Sequence, residues 1–230
     1  MLYASNTDTE KGGSDDMEHT LAVELPADCP LKCAFCRTEE HSGNPQAVLD
    51  TLRTHVGQNG YSEIYLTSTG ETGLSPIFKE VVGMANSAGM GVAVLCATAG
   101  SVIPGLTRVE VSLNPYTSVL AKEAIAKAKE LGIPVVISMI DEGIEEIDLE
   151  TIAAQYGADG VIVRALQPEG ASDRGAGTTR IYQRPRSSLG NFPATAYAEL
   201  EAFRPSSPLI TCIGPNGTFV PFLGGYVGAN

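Results

Sequence analysis

Short apolar runs alternate along the chain with segments in which apolar residues recur every three or four positions. Runs rich in Val and Ile predict strands that are buried on both faces, and the longer recurrence predicts amphipathic helices. The predicted strands are residues 21–27, 62–67, 91–97, 108–113, 133–140 and 160–166, and the predicted helices are residues 45–56, 76–88, 118–131 and 146–156. This alternation predicts an α/β fold in which helices cover a parallel sheet.

Residues with special backbone preferences mark several of the predicted helix ends. Asn44 is a favourable N-cap and Pro45 suits the first helical position, so together they predict where the first helix begins. Gly89 and Gly132 follow the second and third helices, where glycine commonly ends a helix. Residues 98–107 are too few for a full helix between two strands, so we expect a turn there.

The two ends of the chain lack the alternating pattern. Residues 1–19 are polar and predict a disordered tail. After residue 166 the sequence predicts a Gly-, Pro- and Arg-rich loop, then a helix, then a hairpin. These are residues 167–190, residues 193–203, and the strand pair 209–213 and 218–222. We therefore expect three segments, which are a tail at 1–19, a main domain with its substrate loop at 20–190, and a C-terminal extension at 191–230.

Composition narrows the classes of function. The chain has 230 residues, a net charge of −12, a pI near 4.6 and a mean hydropathy of +0.04, which suits one globular domain. The acidic charge repels nucleic-acid phosphates, so we expect no nucleic-acid partner. The apolar runs are too short to span a membrane, and no basic region precedes an apolar stretch near residue 1. We therefore expect a cytoplasmic protein without a membrane partner.

Three cysteines lie close together directly after the first predicted strand, at Cys29, Cys33 and Cys36. Soft thiolates select iron–sulfur clusters, zinc or Cu(I). Structural zinc sites and electron-transfer clusters usually have four protein ligands, whereas three cysteines on a cubane leave one iron open. Two other interpretations remain, namely a zinc site completed by His41 or His19, and three unrelated buried or disulfide-bonded cysteines. A disulfide framework fits poorly because five cysteines cannot all pair.

The spacing Cys-x3-Cys-x2-Cys, with Phe35 before the last cysteine, resembles the signature of the radical S-adenosylmethionine (SAM) superfamily. The resemblance implies a partial (β/α)6 barrel, a 4Fe–4S cluster, and SAM bound to the open iron. It also implies that a flavodoxin or ferredoxin reduces the cluster and that SAM is cleaved to a 5′-deoxyadenosyl radical. That radical abstracts hydrogen from a substrate C–H bond. Phe35 resembles the aromatic residue that shields the cluster and packs near the adenine; ordinary core packing is the alternative.

The segment Thr69-Gly70-Glu71 ends the second predicted strand and resembles the Gly-Gly-Glu motif of this superfamily. The resemblance implies that Glu71 accepts a hydrogen bond from the SAM ammonium and that the small Gly70 lets the backbone approach. Thr69 stands where the family usually has glycine, and Thr72 replaces a frequent proline. The alternative is a polar turn that caps the following helix.

Further cofactor contacts are implied at the ends of later strands. Ser112 and Asn114 resemble the position that contacts the ribose, and Ser138 resembles a residue of the strand that lines the adenine. Arg164, in the sixth predicted strand, suits the SAM carboxylate or an anionic substrate. Because serines are common in strands, ordinary structural roles remain alternatives for these residues.

The substrate is less constrained than the cofactor. Several arginines follow the sixth strand, and they suit an anionic small molecule, with surface solvation as the alternative. They are Arg174, Arg180, Arg184 and Arg186. Cys212 resembles the lone cysteine that donates hydrogen in some radical SAM epimerases; a buried, inert thiol is the other interpretation. The remaining hypotheses are an enzyme that modifies a peptide or protein, and a non-catalytic iron–sulfur or zinc protein.

Overall fold

Strands and helices alternate along the described part of the chain. A computed structural model describes residues 19–31, 33, 42–56, 61–141, 149–165, 180–183 and 211–220. The strands are β1 (His19–Leu25), β2 (Tyr61–Ser68), β3 (Gly91–Cys96), β4 (Arg108–Ser112), β5 (Val135–Asp141), β6 (Gly160–Ala165), β7 (Arg180–Gln183), β8 (Thr211–Ile213) and β9 (Phe219–Val220). The helices are α1 (Pro45–His55), α2 (Phe78–Ser87), α3 (Ser118–Glu130) and α4 (Leu149–Tyr156).

All nine described strands form one sheet in the order β7-β6-β5-β4-β3-β2-β1-β8-β9. Strands β1 to β6 are parallel neighbours in chain order, which confirms the predicted α/β fold and the partial six-stranded barrel. The sheet is not closed. At one end β7 pairs antiparallel with β6, and at the other β8 runs parallel to β1 and forms a hairpin with β9. The predicted terminal hairpin is therefore confirmed.

One face of the sheet packs against the helices, and we call it the helix-facing side. Every second residue of β1 to β6 points to this side, and most of these residues are aliphatic and buried in one core. They include Leu21, Val23, Leu25, Ile64, Leu66, Val92, Val94, Val109, Val111 and Ile137. The helices contribute Leu52, Phe78 and Ala124 to the same core. Burial of each large side chain stabilises the fold by roughly 1.5–3 kcal/mol.

The opposite face, which we call the inner face, carries buried polar side chains. Arg108 Nη2 lies 3.0 Å from Glu63 Oε2, and their side chains are only 4% and 11% exposed. Tyr65 Oη donates to Glu110 Oε2 at 2.8 Å in a buried contact. Ser138 is also buried. The sequence analysis did not predict these pairs.

Cap geometry confirms the predicted helix ends. Asn44 Oδ1 accepts from the Ala47 N–H at 3.1 Å at the start of α1. Gly89 and Gly132 follow α2 and α3 with φ of +75° and +68°, the left-handed region that favours glycine. A short 3-10 turn, Ala99–Ser101, replaces a helix between β3 and β4, as expected.

Some boundaries differ from the prediction. Arg180, predicted to lie in a loop, instead begins β7, whose pairing with β6 gives backbone partners that local composition does not reveal. Helix α2 begins at Phe78 rather than at residue 76, since a 3-10 turn, Thr72–Leu74, takes up part of the preceding connection. The predicted tail at 1–19 extends one residue too far, since His19 already begins β1 and pairs with β2. Its other residues, 1–18, and the predicted helix at 193–203 lie outside the described residues. Among the helices that are described, none is both long and apolar enough to cross a membrane.

Candidate functional site

The predicted cluster loop leaves the carboxyl end of β1, where parallel strands of a barrel usually place chemistry. Cys29 and Cys33 lie in this loop, are half-buried, and are thiols rather than halves of disulfides. Cys36 and Phe35 lie outside the described residues. Two soft sulfur donors, four residues apart in one loop and partly open to solvent, fit an iron–sulfur cluster or another soft-metal site. Within the described ranges no group of three or more Cys, His, Asp or Glu side chains is arranged to hold a metal.

Residues at the end of β2 form hydrogen bonds with the first residues of the cluster loop. The Thr69 N–H donates to the Leu25 carbonyl at 3.0 Å, and the Glu71 N–H donates to the Asp28 carbonyl at 2.9 Å. Thr69 Oγ1 accepts from the Ala27 N–H at 3.1 Å and lies 3.3 Å from the Ala27 carbonyl oxygen. The chain just before Cys29 is thus fixed by both backbone and side chain of the predicted SAM motif.

Gly70 allows this close contact. A Cβ atom on Gly70 would lie 2.5 Å from the Asp28 carbonyl oxygen and closer still to that of Ala27. Both are backbone atoms of the segment that leads into Cys29, so neither has side-chain freedom to move away. The backbone that approaches Gly70 in this structure is therefore the cluster loop; an approach of SAM at this position stays a prediction.

Glu71 directs its carboxylate toward the turn after β3. Oε2 accepts from the Ala97 N–H at 3.0 Å, and Oε1 accepts from the Thr98 N–H at 3.1 Å. Oε1 also accepts from Thr98 Oγ1 at 2.9 Å and Ser101 Oγ at 2.5 Å. Glu71 is 3% exposed. Its predicted contact with the SAM ammonium is not tested by these bonds alone and stays a prediction.

Hydroxyl groups complete the connection between the two turns. Thr72 Oγ1 donates to the Leu95 carbonyl at 2.6 Å, and the Gly73 N–H donates to Ser101 Oγ at 2.7 Å. Sequence reasoning missed Ser101; a hydroxyl residue in a connection too short for a helix is the signal that marks it. Burial, followed by the charges of Glu71 and Glu110, raises the pKa of the neighbouring Cys96 thiol well above its usual range.

The structure places three other predicted cofactor residues together, at the carboxyl end of β4 and beside it on β5. Ser112 and Ser138 are register partners, and Asn114 Nδ2 lies 3.3 Å from Ser112 Oγ. Asn114 Oδ1 accepts from the N–H groups of Tyr116 and Thr117 at 2.9 and 3.1 Å, so it also shapes the turn into α3. Contacts of these three residues with SAM stay predictions.

Two predicted residues are described through their backbones. Arg164 lies opposite Ile140 in the pairing of β5 with β6, and Cys212 lies between Ala22 of β1 and Val220 of β9. Both side chains lie outside the described part of the chain, as does His41. The substrate and hydrogen-donor roles predicted for Arg164 and Cys212 are therefore untested.

Comparison with known proteins tests the fold directly. No known family's sequence profile matches the chain, and no curated protein matches its sequence significantly. The structure is similar to SuiB of Streptococcus suis, a radical SAM enzyme whose crystal structure holds S-adenosylmethionine, with a TM-score of 0.56 and 13% identity over 94% of this chain. SuiB bound to its precursor peptide SuiA matches equally well, at 0.56 and 13%.

The chain spans 60% and 62% of the lengths of these two SuiB chains, so the likeness covers about three fifths of that enzyme. At this level of identity the likeness concerns the fold. It confirms the resemblance that the cysteine motif predicts, and the described strands follow each other in the order that a partial barrel requires. The chain therefore has the fold of the radical SAM enzymes.

Proposed function

We propose that this protein is a radical SAM enzyme with a 4Fe–4S cluster on Cys29, Cys33 and Cys36. The observation that supports the proposal is the cluster loop, held at the carboxyl end of β1 by Thr69, Gly70 and Glu71 in a fold shared with SuiB. When bound and reduced, the cluster and SAM supply a 5′-deoxyadenosyl radical that abstracts hydrogen from a substrate. A flavodoxin or ferredoxin is the proposed reductant.

The protein's own residues position the cofactor in this proposal. Phe35, which lies outside the described residues, is proposed to shield the cluster on the basis of the sequence resemblance alone. Ser112, Asn114 and Ser138 offer hydroxyl and amide groups to the ribose and adenine from neighbouring strand ends. Arg164 offers a guanidinium to a carboxylate. The support for this set is that Ser112 and Asn114 lie at the carboxyl end of β4, and that Ser138 pairs with Ser112 on the adjacent parallel strand β5.

The proposed substrate is a small anionic molecule held above these strand ends. Arg164 on β6, together with the arginines that follow it in sequence, supplies the charge complementarity. Cys212 is proposed as a hydrogen donor to the substrate radical. A radical of this reactivity takes the hydrogen that lies closest, so orientation by the protein selects the reaction.

A peptide substrate is the second candidate function. It is supported by the structure of SuiB with its precursor peptide SuiA, which matches this chain over 94% of its length. A sheet that is not closed offers an open side to an extended ligand. The two substrate classes share the cluster and SAM chemistry, so they are separated by substrate assays rather than by the cofactor.

Anaerobic reconstitution with iron and sulfide tests the cluster. We expect charge-transfer absorbance in the wild-type protein and its loss in Cys33→Ala. Cys96→Ala is the matched control, since Cys96 is buried on β3 outside the loop, and it should retain the absorbance. Equal spectra for both variants would reject the ligand assignment. Binding of zinc alone, with no iron–sulfur spectrum, would favour a zinc protein.

Incubation with SAM and dithionite tests the activity. Release of 5′-deoxyadenosine, increased by a substrate from panels of small anions or peptides, is the expected result. A reconstituted cluster that releases none with any panel would support a non-catalytic iron–sulfur protein. If Cys212→Ala turns over at the wild-type rate, the hydrogen-donor role is wrong.

A further inference from the structure

We propose that Glu71 is a positioning residue, whose carboxylate fixes the turn after β3 to the end of β2 and acts on SAM binding through that turn. The four hydrogen bonds from Ala97, Thr98 and Ser101 are the observation that carries it. The effect of Glu71 on SAM binding rests on the proposed function, whereas its hold on the turn does not.

Most of the acceptor capacity of Glu71 is already used. An ionised carboxylate offers about two lone-pair sites on each oxygen, and in this structure Oε1 accepts from three donors and Oε2 from one. Two donors are backbone N–H groups at the end of β3 and two are hydroxyls. A further donor at Oε1 would have to displace one of them. If it displaced Ser101 Oγ, a buried hydroxyl would be left unsatisfied, which is costly.

Burial argues in the same direction. Glu71 is 3% exposed, so its carboxylate has exchanged water for these donors rather than remaining open to a ligand. After burial, the Glu71 charge is the next cause that raises the pKa of the neighbouring Cys96 thiol, which places that charge beside β3. Hydrogen bonds to a charged acceptor are the stronger kind, so the carboxylate holds the turn firmly.

The same residue reaches the cluster loop through its backbone. The Glu71 N–H donates to the Asp28 carbonyl at 2.9 Å, one residue before Cys29. Its side chain meanwhile binds Thr98 and Ser101. Glu71 therefore joins three loops, those after β1, β2 and β3. A change in the turn after β3 should therefore alter the cluster loop.

The first experiment uses the protein without cluster. Glu71→Gln and Ser101→Ala should each lower the folding equilibrium constant roughly tenfold to hundredfold, because Glu71→Gln disturbs the bonds of four donors and Ser101→Ala also leaves the Gly73 N–H without its acceptor. The folding constant of the double variant should fall by less than the product of the two single factors, since both variants break the same Ser101–Glu71 hydrogen bond. Hydrogen exchange of the Ala97 and Thr98 amides should accelerate in Glu71→Gln. Thr98→Val, which keeps its N–H, serves as a milder variant if Glu71→Gln does not fold.

Ser87→Ala is the matched control. The Ser87 hydroxyl donates to the Gly83 carbonyl on the exposed side of α2, and its loss should change the folding constant less than threefold. If Glu71→Gln keeps wild-type stability and amide exchange, the proposed clamp is wrong. This comparison remains decisive even if the wild-type protein binds no SAM, an outcome that would reject the proposed function instead.

The second experiment uses the reconstituted protein. Ser101→Ala and Glu71→Gln should alter the electron paramagnetic resonance spectrum of the reduced cluster in the same way and weaken SAM binding by similar factors. Leu52→Ala loses comparable stability through the core of α1 and should leave both measurements unchanged. If Glu71→Gln weakens SAM binding at least tenfold while Ser101→Ala binds normally, Glu71 contacts SAM and the proposal fails.

Discussion

The two faces of the sheet are stabilised by different kinds of contact. On the helix-facing side β1 to β6 and β8 contribute fully buried aliphatic residues, such as Leu66 and Val94, to one continuous core. On the inner face β2 and β4 carry Glu63 with Arg108, and Tyr65 with Glu110. One face is held by apolar contact without specific partners, whereas the other combines apolar residues such as Val136 with matched polar pairs.

This difference determines how each face should respond to substitution. An aliphatic side chain that is shortened leaves a cavity, and the loss depends on its volume. A buried polar side chain that is removed leaves its partner without a counterpart, so the loss depends on whether the partner is removed as well. The comparison therefore predicts rescue by a second substitution on the inner face and no such rescue on the helix-facing side.

The largest effect is expected at the ion pair of the inner face. Arg108→Met leaves the Glu63 carboxylate buried without this cation, and we expect a loss of about 4 kcal/mol in the free energy of unfolding. Glu63→Leu combined with Arg108→Met should recover most of it, because both charges of the pair are then absent. Urea denaturation measures both. A double variant as unstable as Arg108→Met would show that removing the partner gives no rescue, and that the two faces do not differ in this respect.

The next effect is expected on the helix-facing side. Leu66 is fully buried on β2, so Leu66→Ala should cost about 3 kcal/mol through lost burial and a cavity. Leu74, which is 51% exposed after β2, provides the control, and Leu74→Ala should cost less than about 0.5 kcal/mol. Thermal or urea unfolding reports the difference. Equal losses for the two leucines would contradict the proposed role of the buried core.

The helix-facing side was the more predictable of the two from sequence. Val109 and Val111 alternate in β4, and Asn44 and Gly132 mark helix ends, so local patterns alone predict these elements. The inner face was missed because the local sequence of β4 does not show what pairs with its two charged residues, Arg108 and Glu110. The partner of Glu110, Tyr65, lies 45 residues away along the chain, and only the sheet register brings the two together. β7 was missed for the same reason.

The candidate site shows the same division. The cysteine spacing predicts the cluster loop because its meaning is local to eight residues of sequence. The bonds of Glu71 to Thr98 and Ser101 join residues 27 and 30 positions apart, so no local pattern reveals them. Sequence resemblance therefore identified the motif, whereas the structure supplied the partners of its glutamate.

A smaller effect is expected from the second inner-face pair. Tyr65→Phe removes only the hydroxyl that donates to Glu110 Oε2, and we expect a loss of about 2 kcal/mol, as for a hydrogen bond to a charged group. Tyr61→Phe, at a half-buried position of the same strand, is the control and should cost less than about 0.5 kcal/mol. Should both phenylalanine variants be equally stable, the Glu110 contact would contribute nothing to folding.

The smallest effect is expected from the Cys96 thiol, a helix-facing group near buried carboxylates. Cys96 lies on the helix-facing side of β3, yet burial and the nearby charges of Glu71 and Glu110 raise the pKa of its thiol. In the unfolded chain the thiol ionises near pH 8.5, whereas in the folded protein it keeps its proton to higher pH. The unfolded state then binds fewer protons, so stability falls as the pH rises above about 8.5.

Cys96→Ala removes this contribution. Between pH 8 and 9.5 the wild-type protein should lose about 1 kcal/mol more unfolding free energy than Cys96→Ala, as the linkage relation requires for one thiol. Urea denaturation at several pH values measures the two slopes, and other titrating groups cancel in their difference. Parallel pH profiles would mean that the thiol titrates alike in both states, and that neither burial nor the charges of Glu71 and Glu110 act on it in the folded protein.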